Sequence, residues 1–337
     1  MKKILSFIIV LCLLISCKVN NHITENHEVT GKTAMEFAAT ISLENLKDHL
    51  YIIASDEFEG RNTGEAGQKK AAEYLKNFYI SNNIASPLGD DDYFQDIPTE
   101  YLRPNLKPSE NVVAFIEGSE KPEEIIVISA HFDHIGMKDG EIYNGADDDG
   151  SGTVAILEIA QAFQKAVENG HGPKRSILFL HVTGEEKGLL GSKFYTNFPI
   201  FPLANTVANL NIDMIGRVDE AHEANPNYIY LIGSDKLSSE LHELSEAMNE
   251  KFTKIKLDYK YNDENDPNRF YYRSDHYNFA KNNIPIIFYF NGTHQDYHKP
   301  SDTPDKINYQ LLAKRAQLVF YTAWEIANRE QRIAVDK

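Results

Sequence analysis

The sequence predicts an α/β fold with a mostly parallel, mixed central sheet and helices on both of its faces. Short apolar runs of strand length alternate along the chain with longer segments of helical periodicity. Residues 125–128, 176–182 and 206–212 are the clearest of these runs, and each is followed by ionisable residues. Because strands that alternate with helices pair in parallel, their carboxyl ends are expected at one edge of the sheet.

Each predicted element follows from the spacing of its apolar residues. The predicted helices are residues 43–54, 68–79, 154–167, 237–252 and 309–328, with a further helix after residue 188. The predicted strands are residues 111–117, 125–128, 176–182, 206–212, 228–232 and 284–290. Residues 56–67, with the sequence DEFEGRNTGEAG, are rich in charge and glycine, which favours a solvated connection over the wall of a cleft.

Length and composition fit a globular protein. The 337 residues are 42% hydrophobic, which is sufficient for one large α/β domain or two smaller ones. We place one domain at residues 41–330, with N-terminal helices at 41–110 and the main sheet at 111–330. The formal net charge of −16, without a clustered basic face, argues against nucleic-acid binding.

Residues 1–16 have the features of an export signal. Lys2 and Lys3 are followed by an apolar run that is too short to span a bilayer comfortably, and Ser16 precedes Cys17. The tetrapeptide LISC resembles the lipobox of bacterial lipoproteins, in which the cysteine becomes the lipidated first residue. An ordinary signal peptide with an incidental cysteine is the alternative. We expect an exported cell-envelope lipoprotein that faces the periplasm or the outer surface.

Residues 17–40 are expected to tether the domain to the membrane. They begin with a polar stretch that has few large apolar residues, which is typical of a flexible linker. The other cysteine, Cys12, lies within the predicted signal. The mature chain would carry Cys17 alone, which excludes a disulfide within the chain.

Ionisable residues cluster after the strand predicted at residues 125–128. The tetrapeptide HFDH at 131–134 comes first, and three consecutive aspartates at 147–149 precede a Gly-Ser-Gly turn and a helix. Three carboxylates at the mouth of a helix repel one another unless a cation or another partner is present. A histidine facing an aspartate offers the ligands that zinc prefers. Helix capping by aspartate is the alternative.

Similar residues follow three further predicted strands. Glu185 and Glu186 are adjacent, so on an extended backbone they point in opposite directions: one can bind a metal while the other faces a bound water. A charged surface turn is the alternative. Asp213 directly follows the strand at residues 206–212 as a candidate ligand or helix cap, and His298 follows the last predicted strand.

Six ordered motifs together resemble a known family. They are HFDH, NGADDDGSG, TGEEKGLLGS, NIDMIGR, RSDHYNF and YHKPSDTPDKI. The chain resembles the co-catalytic di-zinc exopeptidases of metallopeptidase clan MH, of the bacterial leucyl aminopeptidase and aminopeptidase S type. The resemblance extends over roughly residues 43–328 and implies the phosphorylase/hydrolase-like fold of zinc exopeptidases.

The resemblance also implies a ligand set for two zinc ions. Asp148 would bridge the two ions. His131 and Asp213 would complete one site, and Glu186 and His298 would complete the other. After Asp148, Asp213 and Glu186 bind the two ions, a net positive charge would remain, and this charge would favour a metal-activated hydroxide.

Three further roles are implied by the resemblance. Glu185 would be the general base, Asp133 would orient the ring of His131, and Tyr297 would help to stabilise the oxyanion. For His134, His276 and His294, structural or surface positions are favoured.

The resemblance therefore implies a zinc-dependent aminopeptidase that hydrolyses the N-terminal bond of peptides. Its partners would be peptide substrates and, through Cys17, a membrane. A single-zinc enzyme of the glutaminyl cyclase type shares much of this ligand set and is an alternative. A non-catalytic binding lipoprotein is another, and zinc stoichiometry together with peptide hydrolysis separates the three.

Substituting Cys17→Ser is expected to release the protein from the membrane fraction, because serine cannot take the place of the lipidated cysteine. Cell fractionation followed by immunoblotting measures the change, with Cys12→Ser as the matched control. Unchanged membrane association of the Cys17→Ser protein would refute the anchor.

Overall fold

The computed structural model describes residue 31, residues 33–89 and residues 92–337. The predicted signal peptide, Cys17 and most of the predicted tether lie outside these residues. After a short helical segment at residues 33–38, seven α-helices follow in the described chain. They are α1 (Leu43–Ile53), α2 (Ala66–Ser81), α3 (Gly152–Glu168), α4 (Leu190–Asn197), α5 (Ser239–Met248), α6 (His276–Ala280) and α7 (Tyr309–Asn328). No helix of the described chain combines the length and apolar character that crossing a bilayer requires.

Ten strands form one large sheet and one small hairpin. They are β1 (Phe94–Ile97), β2 (Ser109–Ile116), β3 (Lys121–His131), β4 (Gly136–Lys138), β5 (Glu141–Tyr143), β6 (Arg175–Val182), β7 (Thr206–Ile212), β8 (Tyr228–Ile232), β9 (Lys256–Asp258) and β10 (Ile286–Phe290). The eight-stranded sheet has the order β1-β2-β6-β3-β7-β10-β8-β9, and β4 pairs with β5 alone. The predicted α/β class with a mixed sheet is confirmed.

The four middle strands determine where the candidate site forms. Strands β6, β3, β7 and β10 are neighbours and mutually parallel, whereas β2 and β8 join them in antiparallel pairs. The carboxyl ends of the four parallel strands therefore meet at one edge of the sheet. These are the four strands that the candidate ligands and Glu185 follow in the sequence, so the topology brings together residues that are far apart along the chain.

Helices cover both faces of the sheet, as predicted. Ile126 and Ile128 of β3 belong to a core that includes apolar residues of α1, α3 and α7. Ile125 and Val127 point to the other face and belong to a core with Tyr195 of α4 and residues of α6. Burial on both faces explains the continuous apolar run of this strand. Each such fully buried side chain contributes about 1.5–3 kcal/mol.

Short elements account for most differences from the predicted boundaries. Strands β1, β4, β5 and β9 contain three or four residues each and lack a long apolar run, so periodicity does not reveal them. Helix α5 ends at Met248, and a π-helical turn continues it through Thr253. The other predicted strands and helices are present, with boundaries displaced by at most a few residues.

The loop at residues 56–67 is not a solvated connection, so that expectation was wrong. Arg61 is fully buried there, and its guanidinium donates hydrogen bonds to four backbone carbonyls. The accepting oxygens belong to Ile53, Phe132, Asn144 and Gly145, at 2.7–2.9 Å. Burial lowers the pKa of Arg61 to about 10, against the opposing effect of Asp133 and other carboxylates, so the side chain stays charged at neutral pH. Arg61 thus joins α1 to the loops that carry the candidate site.

Substituting Arg61→Lys is expected to lower the free energy of unfolding by about 3 kcal/mol or more. A lysine ammonium cannot reach four diverging carbonyls, and each buried polar group left unpaired costs about 1–3 kcal/mol. Denaturant titration of the metal-free protein measures the loss. Exposed Arg332 also donates to backbone carbonyls, and Arg332→Lys is the control, with an expected change within about 0.5 kcal/mol. A stability loss for Arg61→Lys no larger than that of the control would contradict the assignment.

Candidate metal centre

His131 ends β3 and directs its Nε2 into the site. Its Nδ1 lies 2.9 Å from the backbone oxygen of Asp133 and 3.7 Å from the carboxylate of that residue. The Asp133 carboxylate accepts hydrogen bonds from the Thr63 hydroxyl and the Glu185 backbone N–H, at 2.8 and 3.1 Å. Asp133 therefore fixes the ring of His131 through its main chain and the position of Glu185 through its side chain.

The three consecutive aspartates diverge, which relieves their mutual repulsion. Asp147 accepts a hydrogen bond from the backbone N–H of Gly216 and lies 3.2 Å from a ring nitrogen of His294. Asp149 accepts from the backbone N–H groups of Gly152 and Met214. The two outer carboxylates thus bind the loop after β7 and the start of α3, and only the middle one faces the candidate ligands.

Asp148 offers one oxygen to each of two groups of ligands. Its Oδ1 lies 3.2 Å from Nε2 of His131, and that nitrogen lies 3.7 Å from Oδ1 of Asp213. Its Oδ2 lies 3.0 Å from Nε2 of His298, which is 3.3 Å from Oε1 of Glu186. The structure therefore brings all five sequence-predicted ligands together, with Asp148 shared between two clusters.

Asp302 holds in place the turn that contains residues 147–149, which we call the aspartate turn. Its buried carboxylate accepts hydrogen bonds from the backbone N–H groups of Asp147 and Asp148, at 3.0 and 3.2 Å. Burial raises the pKa of Asp302 to about 6, with a further contribution from Asp147. The segment that contains His298 therefore also fixes the backbone of the shared aspartate.

The donor atoms fit divalent metal ions. His131, Asp148 and Asp213 offer ligand atoms that all lie within 4.8 Å of one another. A tetrahedral metal with bonds of about 2.0–2.2 Å holds its ligand atoms about 3.3–3.6 Å apart, close to the spacings observed. Buried Oε1 of Glu186 has no hydrogen-bond partner among the described residues, which is costly unless a cation takes that place. Imidazole and carboxylate together are the donors that zinc prefers.

Glu185 and Tyr297 border the cavity next to these clusters. The cavity is lined by Glu185, Asp148, Asp213, Tyr297 and His298, with an apolar wall of Met214, Phe270, Phe288 and Phe290. The enclosed position of Glu185 raises its pKa well above the usual range, opposed by His131, and the nearby carboxylates raise it further. The Tyr297 ring stacks on His298, and its hydroxyl accepts a hydrogen bond from Arg273.

Sequence reasoning missed several residues that support the site. His134 is fully buried and lies 2.9 Å from Glu186, although a structural or surface position was favoured. His276 is a buried histidine bonded to the backbone of Tyr271, as favoured, and His294 contacts only Asp147 among the described carboxylates. The four-residue motif HFDH was the available signal for His134, because it places a second histidine on the loop that leaves β3.

A second, larger groove lies away from these residues. Its lining includes Ser119 before β3, Lys174 before β6 and Trp324 near the end of α7. The groove therefore lies at the amino end of the parallel strands and contains none of the candidate ligands. Site chemistry in α/β sheets is expected at the opposite edge.

Comparison with known proteins assigns the chain to a family. The pattern described as Peptidase family M28 matches residues 111–323, which include every predicted ligand. The chain belongs to peptidase family M28. This assignment bears out the resemblance stated from the sequence motifs.

Two individual relatives are similar to this chain over most of its length. Leupeptin-inactivating enzyme 1 of Streptomyces exfoliatus is 26% identical over 310 residues, covering 85% of this chain and 62% of the relative. A probable leucine aminopeptidase of Arthroderma otae is 32% identical over 307 residues, covering 80% of this chain and 79% of the relative. The chain spans about three fifths of the length of the first of these, so activity does not follow from that match alone.

A solved structure shares the fold. The zinc aminopeptidase BSAP of Bacillus subtilis superposes with a TM-score of 0.66 at 17% identity, covering 86% of this chain and 96% of that one. At this identity the match shows only that the two proteins share a fold.

Substituting Asp302→Ala is expected to weaken zinc binding about 10–100-fold, the range typical of lost outer partners of metal ligands. Without its carboxylate, the backbone N–H groups of Asp147 and Asp148 lose their acceptor. Titration of the metal-free protein with zinc(II) measures the affinity. Exposed Asp305, three residues further on, provides the control Asp305→Ala, which should bind zinc normally. Normal affinity in a folded Asp302→Ala protein would show that Asp148 is held by other contacts.

Proposed function

We propose that this member of family M28 is a zinc-dependent aminopeptidase that releases the N-terminal residue of peptides. One observation carries the proposal: the Asp148 carboxylate divides its two oxygens between two clusters of metal donors, beside Glu185. The relatives in Arthroderma and Bacillus, which are named a probable leucine aminopeptidase and a zinc aminopeptidase, support the proposal.

Two zinc ions per chain are part of the proposal. His131 and Asp213 would hold one ion, Glu186 and His298 the other, and Asp148 would bind both. The spacings of these donors, between 3.0 and 3.7 Å, support two separate positions rather than one. Bound zinc supplies Lewis acidity, which polarises a substrate carbonyl and lowers the pKa of a coordinated water.

Glu185 is the general base, and then the general acid, in this proposal. Its carboxylate borders the cavity, and the hydrogen bond from its backbone N–H to Asp133 fixes the strand end that carries it. Glu185 accepts a proton from the attacking water and delivers it to the amine of the departing peptide. A raised pKa suits this exchange, because the group must both gain and lose a proton near neutral pH.

Tyr297 and the cavity wall orient the substrate. The Tyr297 hydroxyl accepts its hydrogen bond from Arg273, which leaves its own O–H free to donate to an oxyanion. Met214, Phe270, Phe288 and Phe290 form an apolar wall that favours an apolar first side chain.

The second cluster of donors argues against the single-zinc cyclase alternative. An enzyme with one zinc has no use for an aspartate with an oxygen in each of two donor sets. A non-catalytic binding protein likewise has no physical reason to keep Glu185 beside unpaired metal donors. The lipid anchor at Cys17 and the envelope location remain separate proposals, since they concern residues outside those described.

Substituting Glu185→Ala is expected to leave bound zinc in place and to lower peptide hydrolysis about 10²–10⁴-fold, the usual cost of losing a general base. Metal analysis of the purified protein, together with amino-acid release from short peptides, tests both halves of this statement. Exposed Glu141 provides the control Glu141→Ala, which should keep full activity.

N-terminally acetylated versions of the same peptides test the exopeptidase assignment. They lack the charged α-amino group and should be resistant to the wild-type protein. Near wild-type turnover in the Glu185→Ala protein would reject Glu185 as the base. Rapid cleavage of acetylated peptides would reject the aminopeptidase assignment while leaving a zinc hydrolase in place.

A further inference from the structure

We propose that His134 is a direct ligand of the metal held by Glu186 and His298, so that this position has four protein ligands and the other position has three. The inference rests on the proposed function, because it concerns the second of the two metal positions. It adds a ligand beyond the five that the sequence motifs imply.

His134 lies where a ligand would have to be. Its ligand atom and those of Asp148 and Glu186 all lie within 4.8 Å of one another. The side chain is fully buried on the loop that leaves β3, and its backbone N–H is bonded to the Arg61 carbonyl. A buried imidazole beside two carboxylates is costly unless its polar atoms are satisfied.

Two polar atoms at this position lack a hydrogen-bond partner in the described part of the chain. Nδ1 of His134 and Oε1 of Glu186 are 2.9 Å apart, yet neither has a hydrogen-bond partner among the described residues. Their separation suits a hydrogen bond but their alignment does not. Two donor atoms this close together, without a hydrogen bond between them, can both bind one cation.

Four of the separations between the donor atoms are close to those around a single ion. Nδ1 of His134 is 2.9 Å from Glu186 and 3.9 Å from Oδ2 of Asp148. Nε2 of His298 is 3.0 Å from the same Asp148 oxygen and 3.3 Å from Glu186. These four separations lie on either side of the value of about 3.3–3.6 Å expected for tetrahedral zinc. Bringing these four separations to that value requires shifts of only a few tenths of an ångström.

Packing fixes the orientation of the imidazole. A Cβ added at Gly145 would lie 2.5 Å from Cγ and Cδ2 of His134, so the backbone of this loop lies directly against the ring. The edge of the ring also packs against His298, with ring centres 5.8 Å apart. The ring therefore cannot turn Nδ1 away from Glu186 without disturbing the Gly145 backbone.

The two metal positions differ as a result. Zinc sites with four protein ligands are typically structural, whereas catalytic sites keep one position open for water or substrate. The cluster of His131, Asp148 and Asp213 has three donors and therefore an open position. The cluster with His134 would have four protein donors, so it should hold its ion more tightly than the other cluster.

The test compares the full-length wild-type protein with His134→Gln and His134→Ala. Zinc content is measured after dialysis against a graded series of chelator concentrations, and zinc-edge X-ray absorption gives the number of imidazole ligands. In the wild-type protein we expect three imidazoles over two zinc ions, from His131, His134 and His298. Both variants should lose one imidazole, and the affinity of the tighter site should fall more than about 100-fold, beyond the range for outer partners.

Buried His181 provides the matched control, since it lies near the same sheet edge but bonds to Tyr79. The variant His181→Gln should keep both zinc ions and all three imidazoles. Two zinc ions with two imidazoles in the wild-type protein would overturn the inference even if neither His134 variant folds. A fall of about 10–100-fold in the zinc affinity of the His134 variants, without loss of an imidazole ligand, would also overturn the inference. His134 would then act only through Glu186. These results leave the proposed function intact, whereas a wild-type protein that binds no zinc overturns both.

Discussion

The burial of several carboxylates at one edge of the sheet is the constraint on which the rest of the structure depends. Asp147, Asp148 and Asp149 are nearly inaccessible to solvent, and Asp213 lies beside them. An unpaired buried charge costs several kcal/mol, so each carboxylate needs its own compensation. Asp147 and Asp149 obtain it from backbone N–H groups, and Asp148 faces imidazoles and the space for cations. This division of roles makes a metal centre out of what would otherwise be a destabilising cluster.

The sheet topology places the candidate ligands and Glu185 next to one another. Four adjacent parallel strands deliver their polar residues to one edge, and hydrogen bonds hold several of the segments beside it. Asp302 holds the aspartate turn, Asp133 holds Glu185, and Arg61 holds the loops around β3. Sites supported in this way by rigid strands and outer hydrogen bonds keep their geometry better than sites on free loops.

The sequence predicts the fold class and the five-membered ligand set because both depend on regular patterns. Buried strands appear as apolar runs, and the residues that follow them appear as motifs with fixed order. The contributions of Arg61 and Thr63 could not be predicted in this way. Their partners are backbone and side-chain atoms from other parts of the chain, such as Phe132 and Asp133, and no local pattern encodes such contacts. The position of His134 was not predicted for a related reason, since only the three-dimensional arrangement shows that its ring lies beside Glu186.

The bond between Asp302 and the aspartate turn also constrains the order in which the centre can be assembled. The two partners are 155 residues apart in sequence, and the ligands His131 and His298 are separated on a similar scale. A growing chain that lacks its last quarter has no acceptor for the Asp147 and Asp148 amides and no His298. Such a chain can hold no more than a fragment of the candidate centre, so the complete set of donors exists only once the C-terminal quarter has folded onto the sheet.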